Sequence, residues 1–139
     1  MDMNRQAIAP SYVLGCKELD NDHEVLLAIV ATLRKALREH RGQSHLDKVV
    51  IELAAYCDAH FENEQDLMEK WAYPDAVAHA AEHERARHRL EQLSVFIRQG
   101  DRDSAKQALR YLEDWQVNHV AGTDRPLAEH LNKRRPHHK

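Results

Sequence analysis

Apolar residues recur at helical spacing along most of the chain. Leu26, Val30, Leu33 and Leu37 share one face of a helix expected over about 22–39. Leu46, Val49, Leu53, Cys57 and Leu67 do the same for a second helix over about 45–70, and Leu90, Leu93 and Ile97 for a third over about 75–98. Ala105, Leu109, Leu112 and Trp115 mark a fourth over about 103–121. Asp20 or Asn21 is placed to cap the first helix and Ser44 the second. Turn-rich stretches at 41–44, 73–75 and 99–101 separate the helices. The stretch 122–126 stops the fourth, and a short helix follows to about 133. Short connections between long helices favour antiparallel neighbours. The expected fold is all-α: an antiparallel up-down-up-down four-helix bundle in a single domain, 1–139. An extended N-terminal arm (1–20) precedes the bundle (about 21–122), and a C-terminal segment (123–139) follows it.

Each apolar stripe runs into histidine or carboxylate. The first extends back to His23, and the second continues into His60 and Glu64. The third extends back through His83 to His79, and the fourth runs on through Gln116 to His119. In an up-down-up-down bundle the start of the first helix, the end of the second, the start of the third and the end of the fourth share one end. The polar groups therefore converge at one level. One buried histidine is ordinarily a satisfied core residue, but here four of four helices contribute. Burying so many imidazoles and carboxylates without partners costs several kcal/mol, and a metal centre removes that cost. His60/Glu64 and His79/His83 are i, i+4 pairs, so both members of each face inward. Asp124 is five residues past His119, about 140° away on an ideal helix. It joins the group only if the helix breaks first, and Gly122 is the expected break.

Composition narrows the function classes. Four glycines in 139 residues leave no phosphate-binding loop, and no apolar run approaches the roughly 20 residues of a membrane span. The net charge of −3 argues against a nucleic-acid binder. Neither a membrane partner nor a secretory signal is expected, and the default setting is cytoplasmic. Cys16 and Cys57 form no metal or disulfide framework; Cys57 reads as a small buried apolar residue. Of eleven histidines, His40, His45, His88, His130, His137 and His138 fall off the inner stripes and are expected at the surface.

The combination His60-Phe61-x-x-Glu64-x-x-Leu67-Met68, then His79-x-x-x-His83, then His119-x-x-x-x-Asp124 resembles the hemerythrin family in its bacterial single-domain form. The stretch from Gly15 to His23 joins that resemblance, which spans most of the chain. It implies two Fe ions joined by an oxo or hydroxo bridge. His79, His83 and His119 would bind one iron, His23 and His60 the other, and Glu64 and Asp124 would bridge them. One coordination position on the second iron is then open, which suits reversible O2 binding. The implied pocket residues are Phe61, Trp115, Gln116 and Val120. The implied function is O2 carriage, storage or scavenging by a monomer, and not enzymatic turnover.

The chain departs from the family pattern at three places. Gln116 stands where leucine is usual, three residues before the helix-four histidine, and a polar amide beside the open position favours faster autoxidation or peroxide or NO chemistry. Asp22 stands where glutamine is usual, which touches bonding behind the ligands. Ile8 stands where the arm usually has tryptophan. Two alternatives keep the same centre: a redox enzyme acting on peroxide or NO, and an O2 or redox sensor signalling through a separate partner. His79-Ala80-Ala81-Glu82-His83 also matches the HxxEH zinc-peptidase pattern, but that reading leaves His23, His60, Glu64 and Asp124 unexplained.

Overall fold

The computed structural model describes residues 13–135. Among the described residues there are five α-helices: α1 (Lys17–Arg38), α2 (Gln43–Lys70), α3 (Ala76–Arg98), α4 (Arg102–His119) and α5 (Arg125–Arg134). A π-helical segment, Val120–Asp124, joins α4 directly to α5. α1 to α4 form the expected antiparallel four-helix bundle, each packed on its sequence neighbours, with α4 closing the ring against α1. No helix among the described residues is long and apolar enough to cross a membrane.

Three tight reversals set the up-down path. At each, a left-handed residue follows the helix C-cap: His40 (φ 56°), Ala72 (φ 50°) and Gly100 (φ 74°). The next N–H then reaches back to an orphan carbonyl, Arg41 to Ala36, Tyr73 to Met68 and Asp101 to Phe96. Only the third uses glycine, so only the third was visible as a turn of this kind in the sequence. Asp101 then caps α4 by accepting the Ser104 N–H at 3.1 Å.

Two capping expectations fail. α2 starts at Gln43 after an extended Gly42, so Ser44 lies inside the first turn. α1 starts at Lys17, and neither Asp20 nor Asn21 is its N-cap. Instead the Asp20 carboxylate reaches back to accept the N–H groups of Leu14 (2.8 Å) and Gly15 (3.2 Å). The early start lets Leu14, Cys16 and Leu19 bury against Leu127, Ala128 and Leu131 of α5. Ile8 and the last two histidines lie outside the described residues.

Among the described residues the core has two apolar clusters. One fills the bundle between Leu26–Leu37, Leu46–Leu53, Leu90–Ile97 and Ala105–Leu112. The second caps the end where α5 lies and includes Met68 and Val120, with Leu67 only half-buried at its edge. Along every bundle helix the order is core cluster, polar residues, capping cluster. The polar residues are thus enclosed between two apolar bodies.

An ion pair ties α5 to α1. Arg135 donates to Glu18 Oε2 at 2.5 Å and Oε1 at 3.1 Å. The Arg135 guanidinium holds the Glu18 carboxyl at about 2, against an ordinary 4.5. A depressed carboxyl contributes stability above its unfolded value and loses it as pH falls through the folded value. Arg135→Ala should therefore lower the melting temperature near neutral pH. The gap between variant and wild type should close as pH is lowered from 4.5 toward 2; a gap that stays constant would show that the pair contributes nothing.

Candidate metal centre

His23 comes from α1, His60 and Glu64 from α2, His79 and His83 from α3, His119 from the end of α4 and Asp124 from the end of the π segment. All seven are buried, at 4% exposure or less. The ligand-capable atoms fall into two sets. One comprises Glu64, His79, His83, His119 and Asp124; the other comprises His23, His60, Glu64 and Asp124. Within each set these atoms lie within 4.8 Å of one another.

The carboxylates divide their oxygens between the sets. Glu64 Oε1 faces His79 Nε2 (2.7 Å) and His83 Nε2 (3.0 Å), while Oε2 faces His60 Nε2 (2.7 Å). Asp124 Oδ1 faces His79 Nε2 (3.1 Å) and His119 Nε2 (3.0 Å), while Oδ2 faces His23 Nε2 (2.8 Å). Three imidazoles thus share one pair of oxygens, and two imidazoles share the other pair.

Asp124 joins the group without a helix break, contrary to expectation. The Arg125 N–H donates to Val120 O, five residues back. A turn of that width brings a residue five positions on back over its start, so Asp124 lies above His119. Pro126 favours the widening, because it has no N–H and its ring crowds the carbonyl four residues earlier. Gly122 has no left-handed φ, and a Cβ there would meet nothing within 4 Å. Its being glycine is not what positions Asp124.

The donors fit a pair of cations. His23 Nε2, His83 Nε2, His119 Nε2, Glu64 Oε2 and both Asp124 oxygens are buried with no hydrogen-bond partner, despite the short N···O separations. Their lone pairs converge without the alignment that N–H···O bonds require. Imidazole and carboxylate without thiolate is a donor set that suits iron. Protons partly substitute for metal charge. Burial opposes charging His60, but Asp22 and then Glu64 outweigh it and push its pKa up to about 10. Burial likewise opposes charging His79, and Asp124 and Glu64 push it up to about 9. At His83 burial wins and the pKa falls. Burial disfavours the charged form of Glu64 and Asp124 too, but the surrounding imidazoles hold both well below the usual carboxylate range.

A cavity of about 40 Å3 abuts the cluster, touching both imidazoles of the two-imidazole set, His23 and His60, with His119 alone of the three-imidazole set and the shared Asp124, and reaching neither His79, His83 nor Glu64. Phe61, Trp115, Gln116 and Val120 all line it, together with Leu26, Leu112 and other aliphatic residues. Phe61 stacks on His83 (centroids 4.2 Å apart) and the half-buried Trp115 on His119 (4.3 Å). Gln116 points into the cavity as expected, and its Nε2 is buried without a partner. Cys57 lines the cavity half-buried, its thiol pushed up to about 12 by burial and so unreactive near neutral pH.

Asp22, expected to take part in bonding behind the ligands, accepts from His60 Nδ1 at 2.8 Å. Its partners were not anticipated: the bond goes to the ligand on the next helix, and the Tyr56 hydroxyl donates to Asp22 at 3.3 Å. The signal was available: Asp22 adjoins His23, and Tyr56 lies one turn before His60. His130 is half-buried, with Nε2 2.7 Å from the Trp71 carbonyl and its ring against Tyr73, because α5 folds back over the end of α2. Glu82, the acid of the HxxEH pattern, pairs with Arg85 and belongs to neither ligand set.

The sequence model of the hemerythrin HHE cation-binding domain matches residues 14–131. A bacteriohemerythrin of Methylococcus capsulatus is 27% identical over 106 residues, covering 76% of this chain and 80% of the relative. One from Stenotrophomonas maltophilia is 27% identical over 124 residues, covering 86% and 80%. A crystal structure of wild-type hemerythrin superposes with a TM-score of 0.77 at 25% identity, covering 85% of this chain and 90% of that one.

Proposed function

The chain belongs to the hemerythrin family, and on that premise we propose that it binds O2 reversibly at a non-haem di-iron centre. His79, His83 and His119 would hold one iron and His23 and His60 the other, with Glu64, Asp124 and an oxo or hydroxo group spanning the pair. Two adjacent irons supply the two electrons that reversible O2 binding uses. Carriage, storage and scavenging of O2 all follow from that chemistry.

The observation that carries this reading is the cavity that both imidazoles of the two-imidazole set line. That set has fewer nitrogens, so an iron held there would keep a coordination position for a ligand. One water needs roughly 10–15 Å3 of such space, so about 40 Å3 admits a diatomic molecule and excludes a bulky organic substrate. The aliphatic lining keeps the site poor in water. Phe61 and Trp115 fix the rings of His83 and His119 by stacking.

The Gln116 amide favours a second reading, redox chemistry on peroxide or NO, because its unpartnered Nε2 offers a donor to a polar ligand. One experiment separates the two. The iron-loaded chain is reduced without air, O2 is admitted, and O2 is then removed. Reversible binding predicts two irons per chain and an absorption band that appears with O2 and vanishes without it. Direct conversion to the ferric spectrum, with no reversible band, overturns O2 binding in favour of redox turnover.

A further inference from the structure

Behind the cluster the imidazoles are not equivalent. His60 Nδ1 lies 2.8 Å from Asp22 Oδ2. His23, His79 and His119 leave their Nδ1 atoms buried and without a partner. Asp22 is itself held in place: the Tyr56 hydroxyl donates to Oδ1 at 3.3 Å, and the Asn63 amide lies 3.5 Å from Oδ2. The Asp22 side chain keeps 17% exposure while the His60 side chain keeps 2%, so the carboxylate stands at the edge of the enclosed region with its hydrogen bond directed inward.

A carboxylate at this position does two things. It accepts the Nδ1–H, which fixes the tautomer and leaves the Nε2 lone pair facing the cluster. It also makes the imidazole a stronger donor, because negative charge behind the ring offsets positive charge in front of it. A neutral amide acceptor would do the first and not the second. The effect is one-sided, since His60 belongs only to the two-imidazole set.

We propose that Asp22 is a positioning residue that locks His60 as an Nε2 ligand and, by its charge, biases the two-imidazole position toward the more oxidised metal. Both imidazoles of this position line the cavity, so Asp22 sets how readily the centre gives up an electron where a ligand enters. The inference rests on the di-iron reading.

Two variants and two readouts test it. Asp22→Asn keeps the size and the acceptor oxygen but removes the charge; Asp22→Leu removes both. Zinc(II) titration against a chromophoric chelator reads the two positions without redox chemistry, and spectroelectrochemistry of the iron-loaded chain reads the potential. Asp22→Asn should raise the midpoint potential, shifting the oxidation equilibrium about tenfold, which is about 59 mV for one electron. Asp22→Leu should also weaken one of the two zinc sites by about 10–100-fold and leave the other unchanged. An unchanged potential in Asp22→Asn with two irons still bound overturns the inference and leaves the di-iron reading standing. Unchanged zinc affinities in Asp22→Leu overturn the positioning role. A wild-type chain that holds neither zinc nor iron overturns both readings together.

Discussion

Glu64→Ala should cost the chain both metal ions at once, whereas His83→Ala should weaken only one. Each Glu64 oxygen serves a different imidazole set: Oε1 faces His79 and His83, and Oε2 faces His60. His83 belongs to one set alone. Affinity at both positions should fall by more than the roughly 100-fold that loss of an outer hydrogen-bond partner costs. Removing one member of a buried charged group also destabilises by about 3–5 kcal/mol, so Glu64→Gln is the companion variant. It keeps the volume but has one donor oxygen, and should hold at most one ion. Elemental analysis and chelator competition read the outcome. Two ions retained by Glu64→Gln would sink the bridging assignment. Metal removal from the wild-type chain gives the matching result in stability. A ligand at a thousand times its dissociation constant contributes about 4 kcal/mol, so chelation should lower the melting temperature by on the order of 10 °C in a domain of this size.

Gln116→Leu should have the second largest effect, and it should improve the fold while altering the site. The Gln116 amide nitrogen is buried in an aliphatic cavity with no acceptor. An unpaired buried polar group costs about 1–3 kcal/mol, so the leucine variant should unfold at higher temperature even without metal. In the loaded chain the variant loses a donor beside the open position and a foothold for water. Autoxidation should slow, and affinity for a polar ligand such as azide should fall by up to about tenfold, the worth of one hydrogen bond. Unchanged stability, autoxidation and azide affinity together would show that the amide takes no part.

The bundle and the converging residues were legible because both obey the same 3.6-residue period. His60 with Glu64, and His79 with His83, are placed by that period alone, and the antiparallel path brings them to one level. What escaped is whatever departs from the period or depends on a neighbouring helix. The route to Asp124 was misread because an α-helical wheel puts it far from His119, and only a wider turn returns it. The ends of α1 and α2 fell within a residue of expectation, but the tight reversals after them were not visible, because His40 and Ala72 hold left-handed conformations that glycine ordinarily signals. The bond from His60 to Asp22 crosses from α2 to α1, and its direction depends on how the two helices are rotated against each other. The stripe showed which residues enter the interior, and the departure at Asp22 pointed to bonding behind them, but not to which imidazole.

The widened turn before α5 has a consequence for how this sequence can change over generations. Dropping one residue between His119 and Asp124 would close the wide turn to an ordinary α-turn and put the carboxylate four residues past the histidine, still on the face of the cluster. Adding one would rotate everything beyond by about 100°: Asp124 would swing off the cluster, and Leu127, Ala128 and Leu131 would leave the surface they bury. Ala121 and Gly122 are exposed, and nothing crowds Gly122. Selection on this stretch should therefore act against added residues more than on the identity of these two. Substitutions and a single deletion would be tolerated here, while insertions would be purged.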